Sequence, residues 1–274
     1  METGHGECSI SPDYVFDNAS EQAGARFSAL AEIFDPGTIR HLNERGVGQG
    51  WHCLEVGGGS GSVARWLSER VGSIGSILVT DIDTRFLETM TLPNVEVRRH
   101  NIVTDSLPES AFDLVHSRLV LLHLPEREKA LRRMIAALKP GGWLVDEEFD
   151  SASLLADPVA NPVEVLPKTQ LAMMRLVEDR GVERRWGRLL LGRLRAHGLV
   201  ATGAEARMFM WQSESSGTSL MRANFQQLRA DMIKAGYITE DEFKQDLAHL
   251  EESDFLTLSP IMWTAWGCRP QALT

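Results

Sequence analysis

The sequence predicts a doubly wound α/β fold: a mostly parallel seven-stranded sheet with an antiparallel last strand, an N-terminal helical lid, and a helical insertion after the fifth strand. Three observations carry this expectation. The stretch CLEVGGGSG, residues 53–61, is a short apolar run that ends in an acid and then four glycines within five positions. Strand-like runs then alternate with helical periodicity as far as residue 150, the pattern of parallel strands joined by helical crossovers. Beyond residue 150 longer helical stretches take over, with two further strand-like runs that suit a closing hairpin.

At residues 53–61 a buried strand turns sharply into a helix. Glycine takes positive φ without a Cβ clash and lets another group come close to the backbone. The helix expected over 62–71 places Val63, Trp66, Leu67 and Val71 on one face. Strand, glycine turn and helix together make a nucleotide cradle. A dinucleotide site uses G-x-G-x-x-G, with the pyrophosphate at the helix N-terminus. Here the third glycine comes one residue early and Glu55 stands at the strand's end, where a pyrophosphate is repelled and a cationic ligand is favoured. A tight turn with no ligand is the bland alternative.

Length and composition bound the remaining choices. A doubly wound core needs about 150 residues, so a chain of 274 leaves roughly 100 for elaboration. Hydrophobic content of 43% with 24% charged residues is that of a globular protein with a core large enough to need no staples. A net charge of −10 argues against a nucleic-acid partner. The basic cluster over 175–195, with Arg180, Arg184, Arg185, Arg188 and Arg193, is balanced by Glu178, Asp179 and Glu183 and reads as a solvated helix face. Cys8, Cys53 and Cys268 form no C-x-x-C pair, so neither a zinc site nor a disulfide framework is expected. With no apolar leader and no membrane-length apolar run, a cytoplasmic location and no membrane contact are expected.

Taken in order, residues 1–12 read as a loose tail in which His5 is solvated. From Tyr14 the pattern is helical, with Phe27, Leu30, Ile33 and Phe34 on one face. Asp35-Pro36-Gly37 reads as a break before a second short helix, 38–45. Because this segment precedes the glycine strand, it is placed to fold over its mouth as a lid. Residues 75–81 form a buried strand ending in Asp81, 20 residues after Gly61, near the offset of a ribose-binding carboxylate. Asp83 reads as a cap for a helix over 84–89.

Strands follow at 95–100 and 112–117, then an amphipathic helix over 125–138 that buries Leu131, Met134, Ile135 and Leu138. Glu126 and Glu128 open that helix and Lys139 closes it, in the sense the macrodipole favours. Pro140-Gly141-Gly142 ends it before a fifth strand at 143–147. Pro158, Pro162 and Pro167 then mark an irregular link. Helices are expected at 169–180, 186–197, 219–235 and 239–251, and strands at 207–211 and 261–266. The chain so divides into a tail and lid (1–45), a ligand-binding core (46–150) and a substrate-binding elaboration that completes the same domain (151–274).

Five motifs in this order carry a resemblance: LEVGGGSG at 54–61, Asp81, Asn101-Ile102 with Leu107-Pro108, FDLV at 112–115, and LKPGGWL at 138–144. They resemble the Rossmann-like class I S-adenosylmethionine-dependent methyltransferases, and more narrowly the bacterial enzymes that methylate small metabolites such as quinones and natural products. The resemblance covers residues 14–150 well and the rest in outline. It implies S-adenosylmethionine as cofactor, with Gly57 and Gly59 against its methionine part and Glu55 near the ammonium. It further implies Asp81 on both ribose hydroxyls, Ile82 and Ile102 beside the adenine, Ser117 at the methionine end, and Arg26 of the lid against the carboxylate. Where the family usually has an aspartate for the adenine amino group, this chain has Asn101, whose amide both accepts and donates.

Methyl transfer is an in-line displacement, so the enzyme has mainly to hold a nucleophile about 3 Å from the methyl carbon, aligned and dry. Candidates for a base lie at the carboxyl ends of the fourth and fifth strands: His123, His116, and the acidic cluster Glu147, Glu148 and Asp150. His123 and Glu147 are the catalytic candidates, against the plainer reading of local hydrogen-bonding and capping roles. Metal sites of the catechol type put a carboxylate at the end of the fourth strand; residues 116–118 are HSR, so no metal is expected. Methionines and tryptophans crowd the second half, suiting an apolar, ring-bearing acceptor, with Met173, Met174 and Trp186 as lining candidates. The expected partners are a small-molecule methyl acceptor and a second copy of the chain as a homodimer. Two other readings stand beside this one: a protein that binds S-adenosylmethionine without methylating, and a nicotinamide-dependent oxidoreductase using the same cradle.

Overall fold

The computed structural model describes residues 15–18, 20–153 and 166–271. The expected tail at 1–12 with His5 and Cys8, the start of the lid at Tyr14, and Pro158 and Pro162 of the link lie outside the described residues.

Seven strands form the main sheet: β1 (His52–Val56), β2 (Ser76–Asp81), β3 (Val95–Arg99), β4 (Phe112–Arg118), β5 (Leu138–Asp150), β6 (Val200–Arg207) and β9 (Ile261–Cys268). Their order is β3-β2-β1-β4-β5-β9-β6. The pairs from β3 to β5 are parallel, and β9 runs antiparallel to both of its neighbours. Strand alternation splits the apolar side chains between two cores. Leu54, Leu78, Val115 and Leu144 enter one, and Cys53, Ile77, Val79, Leu114 and Val145 the other. Both faces are therefore buried, which is why β1 and β2 read as near-continuous apolar runs.

Helix α2 (Ser62–Val71) fills the second core with Val63, Leu67 and Val71. Helices α3 (Arg127–Ala137) and α5 (Trp186–Ala196) fill the first with Leu131, Met134, Leu190 and Leu194. Helices α4 (Lys168–Asp179), α6 (Ser216–Lys234) and α7 (Glu240–His249) pack on one another, and α6 also packs along α1 (Ala23–Glu44). A capping box at Thr239 starts α7, with Thr239 Oγ1 accepting from Glu242 N and Glu242 answering to the Thr239 backbone. The short strands β7 (Met210–Gln212) and β8 (Leu256–Leu258) form a separate antiparallel pair.

Three expectations are corrected here. Asp35-Pro36-Gly37 does not break the helix: α1 runs unbroken across it, with Pro36 inside. Asp35 and Gly37 have tertiary reasons instead. Asp35 pairs with Arg118 at 2.8 Å, and a Cβ on Gly37 would occupy the place of the Arg207 guanidinium. Second, the strand expected at 207–211 is two strands in two sheets, and β6 lies mostly before it, at Val200–Arg207. As an edge strand β6 is half-buried, so VATGAEAR needs no apolar run to announce it. Third, no helix forms over 84–89, and Asp83 caps only a turn, accepting from Arg85 N. Leu87 and Met90 turn inward there, close over Gly58 and Gly61.

Candidate functional site

A cleft of about 360 Å³ opens at the carboxyl ends of β1, β2, β3 and β4. It lies where ligands bind in open α/β sheets. Its floor is the glycine turn after β1. Gly57 has φ 73°, donates its N–H to Thr80 O at 2.7 Å, and would bring a Cβ within 2.3 Å of Val120 Cγ2. Gly59 has φ 54° and donates its N–H to Asp81 Oδ2 at 2.9 Å. These two positions demand glycine for both conformation and close approach. Asp81 also accepts from Asp83 N through Oδ1, so each carboxylate oxygen holds one backbone donor and keeps a lone pair for a ligand.

Several polar atoms at the cleft have no partner among the described residues. Glu55 is 4% exposed and its Oε2 accepts no hydrogen bond among the described residues. Burial pushes its carboxyl up to about 8; Arg118 opposes the rise, while Asp35 and Asp81 add to it. Arg26 is 5% exposed, with its guanidinium 4.4 Å from the Phe16 ring centroid and Nη1 unpartnered. The Asn18 side-chain oxygen, also at the cleft, is likewise unpartnered. Asn101 Oδ1 accepts from Val103 N at 2.9 Å, which leaves its amino group free to donate toward the cleft. Ile82 and Ile102 supply apolar walls beside it.

Arg26, Leu30, Leu119 and His123 also border a second cavity of about 110 Å³. Phe16, Phe149, Leu122, Leu220, Met173 and Met174 give that cavity its apolar walls. His123 is 6% exposed and meets the Phe16 ring edge-on, with centroids 6.0 Å apart. Burial, helped by the nearby Arg26 and Arg127 charges, lowers its imidazole to about 3, so it is neutral across the physiological range. Leu119, at the junction of the two spaces, has φ 57°, a strained conformation for a leucine. The chain is clamped there. Leu119 N donates to Glu147 O, and Val120 N and Leu121 N donate to Glu148 Oε1 at 3.1 and 2.6 Å. Glu148 is fully buried and its carboxyl is raised well above the usual range by burial and the neighbouring Asp146.

Three candidates lie away from both spaces. Ser117 is fully buried and donates to Asp146 Oδ1, because β4 runs one residue further than expected and strand alternation presents Arg118 to the cleft instead. Glu147 is fully buried beneath α1, accepting from Arg207 Nη2 at 2.8 Å, from Thr264 Oγ1 at 2.6 Å and from Thr38 Oγ1. Burial alone would raise it, but His116, with Nε2 3.5 Å away, together with Arg118 and Thr264, brings it down to about 2. Its position is that of a structural counter-ion. Trp186 opens α5, is 2% exposed and packs in the core under Arg127 and Arg193.

The sequence reading missed Asn18, Phe27, Arg118, Leu119 and Val120 at the cleft. Only their nearness to the ends of β4 and α1 could have signalled them; nothing in their residue types does.

Comparison with known proteins agrees with this architecture. Residues 54–146 match the family described as a methyltransferase domain. The ubiquinone/menaquinone biosynthesis C-methyltransferase UbiE of Laribacter hongkongensis is 33% identical over 127 residues, 43% of this chain and 51% of that protein. Methyltransferase str2 of Strobilurus tenacellus is 33% identical over 136 residues, 49% of this chain and 48% of its own. The chain spans about half the length of the curated relatives it matches. Among solved structures, Haemonchus contortus phosphoethanolamine N-methyltransferase 2 in complex with S-adenosyl-L-methionine superposes with a TM-score of 0.57 at 15% identity, covering 96% of this chain and 61% of that one. The YcgJ protein of Bacillus subtilis gives 0.55 at 17% identity, covering 85% and 97%. The architecture is that of the class I methyltransferase fold. The sequence match to the methyltransferase domain family is confined to residues 54–146, about a third of the chain. Among the described residues no helix is long and apolar enough to cross a membrane.

Proposed function

We propose that the chain is an S-adenosylmethionine-dependent methyltransferase acting on a small, apolar, ring-bearing metabolite. The observation that carries this reading is the pairing of two spaces. A polar cleft with unpartnered charged atoms at the sheet's carboxyl edge adjoins an apolar cavity through Arg26, Leu30, Leu119 and His123.

The residues present fit the cofactor. Glu55 Oε2 and Arg26 Nη1 are buried and without a partner among the described residues, and once Glu55 ionises they are of opposite charge, which suits a zwitterionic amino-acid end: Glu55 for the ammonium and Arg26 for the carboxylate. Asp81, with lone pairs to spare on both oxygens, would hold the two ribose hydroxyls. Ile82, Ile102 and the Asn101 amino group would take the adenine, and Gly57 and Gly59 leave room for the methionine chain. When bound, S-adenosylmethionine supplies an electrophilic methyl group on a sulfonium.

The protein's own contribution is position and dryness. Leu119, held in its strained conformation by Glu147 O and set beside the Glu148 clamp, keeps the wall between the spaces in place. His123, neutral and with an imidazole near 3, orients and excludes water; it is too weak a base to deprotonate an ordinary hydroxyl. Glu147, sealed beneath α1, acts through Arg207 and Thr38 on the lid's seat and not on a proton of the acceptor. In this reading residues 1–45 act as lid, 46–150 as cofactor core and 151–274 as acceptor-binding elaboration.

The test is transfer of isotopically labelled methyl from S-adenosylmethionine to a panel of phenols and quinols, read by mass spectrometry. A labelled product one methylene heavier than its acceptor supports the reading. Cofactor binding without transfer to any acceptor would favour a protein that holds S-adenosylmethionine without methylating.

A further inference from the structure

The second cavity is bordered by two side-chain amides, Gln170 and Asn224, that make no hydrogen bond among the described residues. Gln170 on α4 is 7% exposed, and the Asn224 side-chain oxygen on α6 is buried without a partner. A buried, unsatisfied amide oxygen such as that of Asn224 is costly, and it is tolerated where a ligand completes it. Both line the second cavity and neither lines the cleft, so they lie outside the part the two spaces share.

Charge narrows the chemistry further. Arg26 and Arg184 are the charged side chains that border the cavity among the described residues, and no acid does. Arg184 is already engaged, donating to Ser151 O at 3.0 Å with Glu178 Oε2 at 3.4 Å. Arg26 faces the cofactor's carboxylate in the reading above. An ammonium-bearing acceptor would lose its hydration there and find no counter-ion among the described residues. Size narrows it too. At about 110 Å³ the cavity is of the same order as the roughly 150 Å³ engineered apolar cavity that takes up one benzene, so it has room for no more than one ring.

We propose that Gln170 and Asn224 are specificity-determining residues that hydrogen-bond a carbonyl or hydroxyl substituent of a neutral, single-ring acceptor, on the side away from the atom to be methylated. The proposal rests on the methyltransferase reading and names the substrate class of that site.

The test is binding to full-length protein saturated with S-adenosylhomocysteine, by calorimetry and ligand-detected NMR, using 4-hydroxyacetophenone, 4-ethylphenol and tyramine as probes. The ketone is expected to bind about tenfold tighter than its ethyl analogue, the ratio one well-made hydrogen bond supplies, and tyramine to bind weakest. Gln170→Leu and Asn224→Leu should each weaken the ketone by about threefold, together removing its tenfold advantage, and leave 4-ethylphenol and S-adenosylhomocysteine unchanged. Should a leucine variant fail to fold, Gln170→Met and Asn224→Ala carry the same expectation. Equal binding of ketone and ethyl analogue, preference for tyramine, or no binding of any probe would each overturn the assignment. Failure of S-adenosylhomocysteine itself to bind would sink the methyltransferase reading instead, since neither amide borders its cleft.

Discussion

The cofactor cleft draws its polar groups from short contiguous stretches at strand ends, Glu55 to Ser60, Thr80 to Ile82 and His100 to Thr104, whereas the second cavity gathers single residues from α1, the 119–124 segment, β5, α4 and α6. In the first region strand register places the groups: Glu55 lies opposite Val79 and His116, and Asp81 opposite Arg99. In the second, helix packing does. Two spaces built in these two ways, meeting at four residues, can be altered separately. Changes in the helices should change what is methylated and leave the cofactor's seat intact.

The largest expected effect comes from a residue that supports both regions. Glu147 holds Arg207, Thr264 and Thr38 under α1, and its backbone oxygen receives Leu119 N. Glu147→Ala strands the Arg207 charge and should lower the unfolding free energy by about 3–5 kcal/mol in a urea titration. A loss below about 1 kcal/mol would mean that water reaches this network and that it does not seat the lid.

Asp81→Ala separates the regions. It should weaken S-adenosylhomocysteine by about 1.5–3 kcal/mol, the range for hydrogen bonds to a charged group, and leave acceptor probes in the second cavity unaffected. Unchanged cofactor affinity in a folded variant would remove Asp81 from the ribose.

Glu55 adds a pH signature confined to the cleft. Its folded carboxyl sits near 8, so below that pH it is mostly protonated, and binding an ammonium requires it to ionise. Cofactor affinity should therefore rise with pH, by roughly fivefold from pH 7 to pH 8, and level off above, with proton release visible as a buffer-dependent binding enthalpy. The ligand-free protein should show the opposite trend. Its folded state keeps a proton that the unfolded chain, with an ordinary carboxyl, gives up, so this contribution to stability is present at low pH and lost as pH rises towards 8. Glu55→Gln should flatten both curves; a wild type already flat between pH 6 and 8 would contradict the assignment.

The smallest effect is a control on independence. Met174→Leu conserves volume, and it should cost less than about 1.5 kcal/mol of stability and leave S-adenosylhomocysteine affinity within about twofold. A large drop in cofactor affinity would show the two spaces to be one.

The same contrast explains what the sequence could disclose. The glycine turn, Asp81 and the parallel core were legible because strand, turn and helix chemistry is local: Gly57 and Gly59 are required by φ, and Asp81 sits at a strand end. Met173 and Met174 were acceptor-lining candidates on composition alone, and both border the second cavity. Ser117 and Trp186 were not separable from their exposed neighbours, because one residue of strand length or one turn of helix decides which side faces a cavity. Asp35-Pro36-Gly37 misled for a deeper reason. Locally it is a helix breaker, and the cost is offset by Arg118 pairing with Asp35 and by Arg207 crossing Gly37, partners 80 and more residues away. Gln170 and Asn224 are ordinary helix residues until α4 and α6 are packed together.

On the proposed function, the cleft should receive a sulfonium nucleoside and not a dinucleotide. Calorimetric titration of the purified protein with S-adenosylmethionine, S-adenosylhomocysteine and NAD in parallel tests it directly. Micromolar binding of the two sulfur ligands with no heat from NAD is the predicted result. Binding of NAD alone would contradict it, and with it every assignment built outward from Glu55.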